Sequence, residues 1–194
     1  MLESGSARFL LKGSVLLIVL LAFWWLVFVN PLASLLRIAA AAAFHLLPFR
    51  AAPSFSVTPA GDWNFVIPVL GTNAPLQVHA VEFMGPRETI GNFTFSLPIY
   101  WALALAMIFP EQKIRSFILL LAMGSAIILL VQILSLLAFV EVTALNEVAQ
   151  IHPDAGGIGR WLRDLINYLA IFVTPFLAPI VVATIVHRRK GTPI

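Results

Sequence analysis

Two apolar stretches decide the fold of this chain: residues 93–109 read FTFSLPIYWALALAMIF, and residues 116–140 read SFILLLAMGSAIILLVQILSLLAFV. Neither contains a charged residue, and the short charged segment Glu111–Arg115 separates them. A helix rises about 1.5 Å per residue, so about 17–25 apolar residues cross the ~30 Å hydrocarbon core of a bilayer. The two stretches therefore predict a transmembrane helical hairpin.

The composition also indicates a membrane protein. Of the 194 residues, 60% are hydrophobic and only 11% are charged, whereas soluble domains carry about 25% charged residues. The basic residues flank apolar runs and form no patch on a soluble face, so no nucleic-acid partner is expected. The chain has no cysteine, which excludes disulfides, thiolate metal sites and cysteine nucleophiles.

Two further spans are predicted, one near each terminus. Gly13–Val29 is free of charge and is closed by Asn30-Pro31, and Trp24-Trp25 near its far end is typical of an interfacial aromatic belt. This run is longer than the ~7–15 apolar residues of a signal peptide, so we interpret it as an uncleaved helix. Ile166–Val186 is the last span, and it contains two prolines that are expected to bend it.

Residues 31–47 form a short segment with apolar residues at helical spacing on one face. Arg37 and His45 lie toward another face. An arginine in the middle of a bilayer would cost at least about 2.5 kcal/mol, which favours an amphipathic helix lying in the membrane interface. A helix packed on the other helices is equally compatible with the pattern.

The segment Pro53–Asn92 changes character and predicts a small β-rich region outside the membrane. Polar and apolar residues alternate in it, as they do in half-buried strands, and Pro and Gly residues separate the alternating runs. A region this small is expected to rest on the helix ends or on a partner. The residues on one side of each predicted strand are Trp63, Phe65 and Ile67 in one and Leu76, Val78 and Ala80 in another.

The distribution of basic residues predicts the orientation. Seven of the twelve lie in three short segments, 1–12, 110–115 and 187–194, which the positive-inside rule assigns to the cytoplasm. The prediction is a multi-pass protein of the bacterial inner (plasma) membrane with both termini cytoplasmic. Its parts are 1–29, the cytoplasmic N-terminus and first span; 30–92, the extracytoplasmic amphipathic helix and β-rich region; 93–140, the hairpin; 141–165, an extracytoplasmic loop with a short helix over 142–151; and 166–194, the fourth span and basic cytoplasmic tail.

No constellation of residues predicts catalysis or a cofactor. None of the four histidines has a ligand partner at helical spacing, and His152 with Asp154 is the nearest approach to a metal pair. Gly156-Gly157-Ile158-Gly159 lacks the Lys-Ser/Thr of a phosphate loop, and no serine lies in G-x-S-x-G. We therefore expect no enzyme, no metal and no cofactor.

Six polar or aromatic residues are predicted to make partner contacts or to pack helices. Gln132 and Asn167 are uncharged side chains inside spans, where interhelical hydrogen bonds of about 1 kcal/mol are the usual role. Glu141 could pair with Arg160 or Arg163, although a solvated helix end is the preferred interpretation. Asn92 begins an Asn-Phe-Thr sequon that we interpret as structural. The six are Arg37, Trp63, Asn92, Gln132, Glu141 and Asn167.

The layout resembles a known family. A Trp-rich end of the first span precedes an amphipathic stretch and a compact outer region, and Asn92–Pro98 (NFTFSLP) then leads into the second span. A short basic turn and a Leu-rich third helix with Gln132 follow. This pattern is similar to the exosortase H-associated membrane proteins of Gram-negative bacteria. The resemblance implies an accessory component that works beside an exosortase, an enzyme expected to use a Cys with Arg and His.

Two hypotheses from different classes follow. The first is a non-enzymatic accessory or scaffold protein whose outer region contacts a membrane partner, with an exosortase suspected, and whose spans contact the lipid bilayer. The alternative is a small membrane transporter or lipid-binding protein that uses Gln132, Asn167 and Thr174. No inverted repeat is visible between the two halves of the chain, which disfavours a transporter. A membrane hydrolase ranks last.

Overall fold

The computed structural model describes residues 2–46, 53–68, 80–107, 114–151 and 157–188, which form helices and a small sheet. Two five-residue π-helical turns, Trp24–Phe28 and Leu169–Val173, join α1 to α2 and α6 to α7. The elements are α1 (Leu2–Phe23), α2 (Val29–His45), β1 (Ser54–Val57), β2 (Trp63–Pro68), β3 (Ala80–Gly85), α3 (Arg87–Thr94), α4 (Ser96–Met107), α5 (Ile114–Ile151), α6 (Gly157–Tyr168) and α7 (Thr174–Arg188).

Four helical stretches are long and apolar enough to cross a membrane: Leu11–His45, Thr89–Met107, Ile114–Asn146 and Gly159–Val186. The predicted hairpin corresponds to α4 and α5. Large apolar side chains cover the outside of the bundle, as expected when lipid is the solvent. The predicted fold class, a mainly α membrane protein with four spans and a small β-rich region, is confirmed.

The first helical stretch continues past the point where the sequence predicted its end. α1, the first π-helical turn and α2 follow one another without a break from Leu2 to His45. The Val29 amide bonds to the carbonyl of Trp24, five residues back, and this wider turn lies just before Pro31. Pro31 therefore falls in the first turn of α2, where a missing N–H is tolerated. The interpretation of Asn30-Pro31 as the end of the helix was wrong.

α5 also continues further than expected. It runs from Ile114 through Glu141 to Ile151, so the short helix predicted over 142–151 is the last part of the same helix. No glycine or proline follows Val140 until Pro153, and a single charge such as Glu141 does not end a helix. The third span therefore projects beyond its apolar run.

The sheet is antiparallel with strand order β1-β2-β3. β2 buries Trp63, Phe65 and Ile67 on one side, which confirms the predicted alternation. β3 lies later in the chain than the strand predicted around Leu76, Val78 and Ala80. Its buried residues are Val81 and Gly85, while Ala80 is exposed. Leu76 and Val78 lie outside the described residues.

An aromatic cluster fastens the sheet to two of the helices. Phe65 is fully buried, and its ring centroid lies 4.9 Å from that of Phe83 and 6.3 Å from that of Phe139 in α5. Phe55 of β1, the cross-strand neighbour of Phe65 on the same face, packs against Phe44 of α2 with 6.0 Å between the ring centroids. The sheet thus shares its core with α2 and α5, as expected for a region too small for an independent core.

Buried polar contacts connect the spans to one another. Trp24 donates a hydrogen bond from Nε1 to Oγ1 of Thr94 (3.2 Å), and the Thr94 hydroxyl donates to the Gly91 carbonyl (2.9 Å). Tyr100 of α4 donates to the carbonyl of Leu120 in α5 (3.0 Å). These bonds tie the first and third spans to the second.

Candidate functional site

A pocket with a volume of about 320 Å³ lies between α2, the β1–β2 turn and α3. It combines polar side chains, turn backbone and buried apolar side chains. The lining residues are Val29, Asn30, Ala33, Ser34 and Arg37 from α2; Val57, Pro59, Ala60 and Gly61 around the turn; and Trp63, Ile90 and Gly91.

The α2 wall of the pocket carries three polar side chains. Asn30, Ser34 and Arg37 are separated by four and three residues, which places them on one face of the helix. Arg37 is half-buried and has no hydrogen bond or ion pair with any other described residue. This face therefore presents a cation together with amide and hydroxyl groups that can donate hydrogen bonds.

The opposite wall is a turn that fixes its own backbone. The Gly61 amide donates to the Thr58 carbonyl (2.9 Å), and the Thr58 amide donates to the Asp62 carbonyl (2.9 Å). The Thr58 hydroxyl also accepts a bond from the Asp62 amide (3.1 Å). Gly61 has φ of 92°, a left-handed conformation that favours glycine. These internal hydrogen bonds hold the turn in one conformation, so this wall of the pocket has a fixed shape.

The pocket lies where the sheet meets the beginning of a span. Trp63 of β2 and Ile90 of α3 are buried and form its apolar side. Ile90 and Gly91 come just before the charge-free apolar run that begins at Phe93. The pocket therefore lies beside the start of an apolar run and not in the middle of the bundle.

The structure brings two of the six predicted residues together: Arg37 and Trp63 line the same pocket. Asn92 is half-buried in α3, beside the lining residue Gly91 but not itself part of the lining. Sequence reasoning missed Asn30 and Ser34. Their helical spacing from Arg37 was the signal that could have found them.

The other predicted residues lie in helix contacts. Gln132 of α5 donates from Nε2 to Oγ of Ser96 (2.7 Å), and Asn167 of α6 donates from Nδ2 to Oγ1 of Thr143 (3.5 Å). Thr143 lies roughly 16 Å further along α5 than Gln132 at about 1.5 Å per residue. Gln132 and Asn167 thus bond at separate levels of the bundle.

Glu141 is half-buried in α5. One of the two arginines considered as its partner, Arg163, donates from Nε to Oδ1 of Asn146 (2.7 Å). The Asn146 amide in turn donates to Asp164 (3.4 Å). Polar contacts therefore connect the end of α5 to α6.

Ligation of a metal receives no support from the part of the chain that the structure describes. Within it, no three His, Asp or Glu side chains are grouped closely enough to hold a metal ion. His152 and Asp154, the nearest approach to a metal pair in the sequence, lie outside the described residues.

Four apolar helical stretches and a sheet that packs on two of them define a small multi-span membrane protein with a polar pocket between the sheet and two helices. A family model described as exosortase H-associated membrane protein matches residues 3–190. The chain therefore belongs to the exosortase H-associated membrane protein family, as the resemblance predicted. No curated protein and no solved structure matches the chain.

Proposed function

We propose that the protein is a non-enzymatic accessory component of an exosortase protein-sorting system in the bacterial inner membrane. The observation that carries this proposal is the family match, which covers residues 3–190 and has an exosortase association in its description. The absence of cysteine from the chain also supports it, because an exosortase is expected to supply a cysteine to the reaction.

The surface that we assign to the partner is the sheet. Phe65 and Phe139 fasten it to the bundle, so a partner would meet a surface that is already ordered and would not have to order it on binding. Met84 of β3 is 65% exposed and, as the cross-strand neighbour of Asn64, lies on the face of the sheet opposite Phe65. Methionine is among the residues that are enriched at protein interfaces.

The distribution of charge supports the proposed orientation, with the sheet outside and both termini in the cytoplasm. Arg115 lies at the start of α5 and Arg188 at the end of α7. The sheet packs on the C-terminal halves of α2 and α5, through Phe44 and Phe139, and α3 starts beside it. These arginines therefore belong to the opposite end of the bundle. Basic residues that flank spans favour the cytoplasmic side.

Co-purification tests the proposal. A tagged copy of the full chain, co-expressed with the exosortase of the same bacterium and extracted in a mild detergent, is expected to retain the exosortase. Met84→Glu on the sheet should reduce the recovered exosortase several-fold. Ile114→Glu is the matched control, because Ile114 is 68% exposed at the other end of the bundle, and it should leave recovery unchanged.

Two results would contradict the proposal. One is recovery of the wild-type protein without exosortase from membranes that contain both proteins. The other is an equal loss for both substitutions, which would place the contact away from the sheet.

A further inference from the structure

We propose that the pocket between α2, the β1–β2 turn and α3 binds the phosphate of a phospholipid head group, and that Arg37 is its cationic contact. The inference does not depend on an exosortase partner. A failure of the co-purification experiment would not contradict this inference. A failure of the lipid experiment described below would not contradict the accessory function.

The charge of the pocket is the first argument. Arg37 is half-buried and makes no ion pair with a described residue, and the described lining residues include no Asp or Glu. A partly buried guanidinium favours an anion, and its planar donors match phosphate oxygens in a bidentate arrangement. Asn30 and Ser34 lie on the same helix face and add uncharged donors.

The depth of the pocket is the second argument. Ile90 and Gly91 belong to its lining and come just before the charge-free apolar run that begins at Phe93, and Arg37 is the first charged residue after Lys12. The end of a span is the level at which hydrocarbon gives way to head groups. The phosphate of a lipid is thus the anion that is concentrated where Arg37 lies.

The surroundings of the pocket suit the rest of a lipid molecule. Leu35 and Ile38 of α2 immediately flank the polar face, and both are exposed. They give acyl chains an apolar surface beside the pocket. A volume of about 320 Å³ is at the small end of ligand sites, which range from about 300 to 1,000 Å³. It therefore suits a head group with its acyl chains outside.

Lipid retention by the purified full-length protein tests the inference. Native mass spectrometry would compare phosphatidylglycerol with a diacylglycerol that has the same acyl chains and no phosphate. Wild type is expected to retain phosphatidylglycerol selectively. Arg37→Gln should weaken that retention about tenfold or more, the effect of one charged hydrogen-bonding contact, and Arg37→Lys should be intermediate.

Arg160→Gln is the matched control. Arg160 is exposed at the start of the fourth span, so it lies at the same end of the bundle but does not line the pocket. Its loss should leave retention unchanged. Ser34→Leu, which keeps Arg37 and fills the pocket with an apolar side chain, should reduce retention as Arg37→Gln does. Gel filtration of each variant establishes that it has remained folded.

Several outcomes would overturn the inference. Equal retention of phosphatidylglycerol by Arg37→Gln and Arg160→Gln would show that Arg37 does not contact the lipid. Equal retention of diacylglycerol and phosphatidylglycerol by wild type would show that the phosphate is not recognised. Displacement of the lipid by inorganic phosphate at millimolar concentration, dependent on Arg37, would assign the pocket to a soluble phosphorylated ligand. Displacement by a peptide with a free C-terminal carboxylate would assign it to a processed protein.

Discussion

The hydroxyl of Tyr100 occupies the space that a side chain on Gly124 would need. A Cβ atom at Gly124 would lie 1.9 Å from the Tyr100 hydroxyl oxygen, which donates a hydrogen bond to the Leu120 carbonyl (3.0 Å). Tyr100 is fully buried. α4 and α5 therefore contact each other through a tyrosine that lies on a glycine, and a small residue is what permits this approach.

Gly124→Ala is expected to destabilise the bundle by about 1–3 kcal/mol, the usual cost of overpacking a core. A Cβ at Gly124 would overlap three atoms of the Tyr100 side chain, so we expect the upper part of this range. It exceeds the gain of about 1 kcal/mol that alanine has over glycine inside a helix. Gly91→Ala is the control, because a Cβ there meets no atom within 4 Å, and it should be neutral or slightly stabilising. Thermal unfolding in detergent, followed by tryptophan fluorescence, measures both. A Gly124→Ala protein as stable as wild type would refute the packing argument.

The hydrogen bond between Gln132 and Ser96 is expected to contribute about 0.5–2 kcal/mol, the range for interhelical bonds in membranes. A double-mutant cycle with Gln132→Leu and Ser96→Ala isolates this coupling. Gln132 Oε1 is buried and has no hydrogen-bond partner among the described residues. Gln132→Leu also removes this unsatisfied oxygen, so its cost alone should be smaller than the coupling. Thr184→Ala is the control, since the Thr184 hydroxyl bonds only within its own helix, to Ile180. Additive effects of the two substitutions would contradict the coupling.

Phe65→Ala is expected to release the sheet from the helices. Phe65 is fully buried between Phe83 and Phe139, and truncation of a buried phenylalanine costs about 3–5 kcal/mol. Met84→Ala, at an exposed position of the same sheet, should change stability by less than about 0.5 kcal/mol. Limited proteolysis compares them: faster cleavage between β1 and β3 is expected in Phe65→Ala alone. Equal cleavage of the two variants would mean that the aromatic cluster does not hold the sheet.

Reporter fusions should locate the sheet outside the cytoplasm. Alkaline phosphatase, which is active only after export, is expected to be active when fused after Arg87 and inactive when fused after Arg115. The reason is the concentration of basic residues around the α4–α5 connection and the C-terminus. Green fluorescent protein at the same two positions gives the opposite readout and serves as the control. Phosphatase activity at Arg115 and none at Arg87 would reverse the orientation.

The spans could be predicted because charge-free apolar runs of this length are not stable in contact with water. The strand β2 could be predicted because Trp63, Phe65 and Ile67 occupy every second position. The ends of the helices could not be predicted. Proline and charge are local signals, whereas the continuation of the first helix past Pro31 depends on a π-helical turn that the pattern does not encode. The pocket was found only in part, because Arg37 and Trp63 are brought together by the packing of the sheet on α2. That packing depends on contacts between distant residues, such as Phe44 with Phe55 and Phe65 with Phe139.

The unbroken path from Leu2 to His45 has a mechanical consequence. A flexible linker between a span and an outer domain lets the two turn independently, whereas helical hydrogen bonds resist torsion about the axis. The wall of the pocket that carries Arg37 therefore belongs to the same continuous helical segment as Leu2, at the other end of the first span. A rotation imposed on the chain near Leu2 would therefore turn that wall relative to Gly61 and its neighbours, and the π-helical turn at Trp24–Phe28 is where the path would yield first.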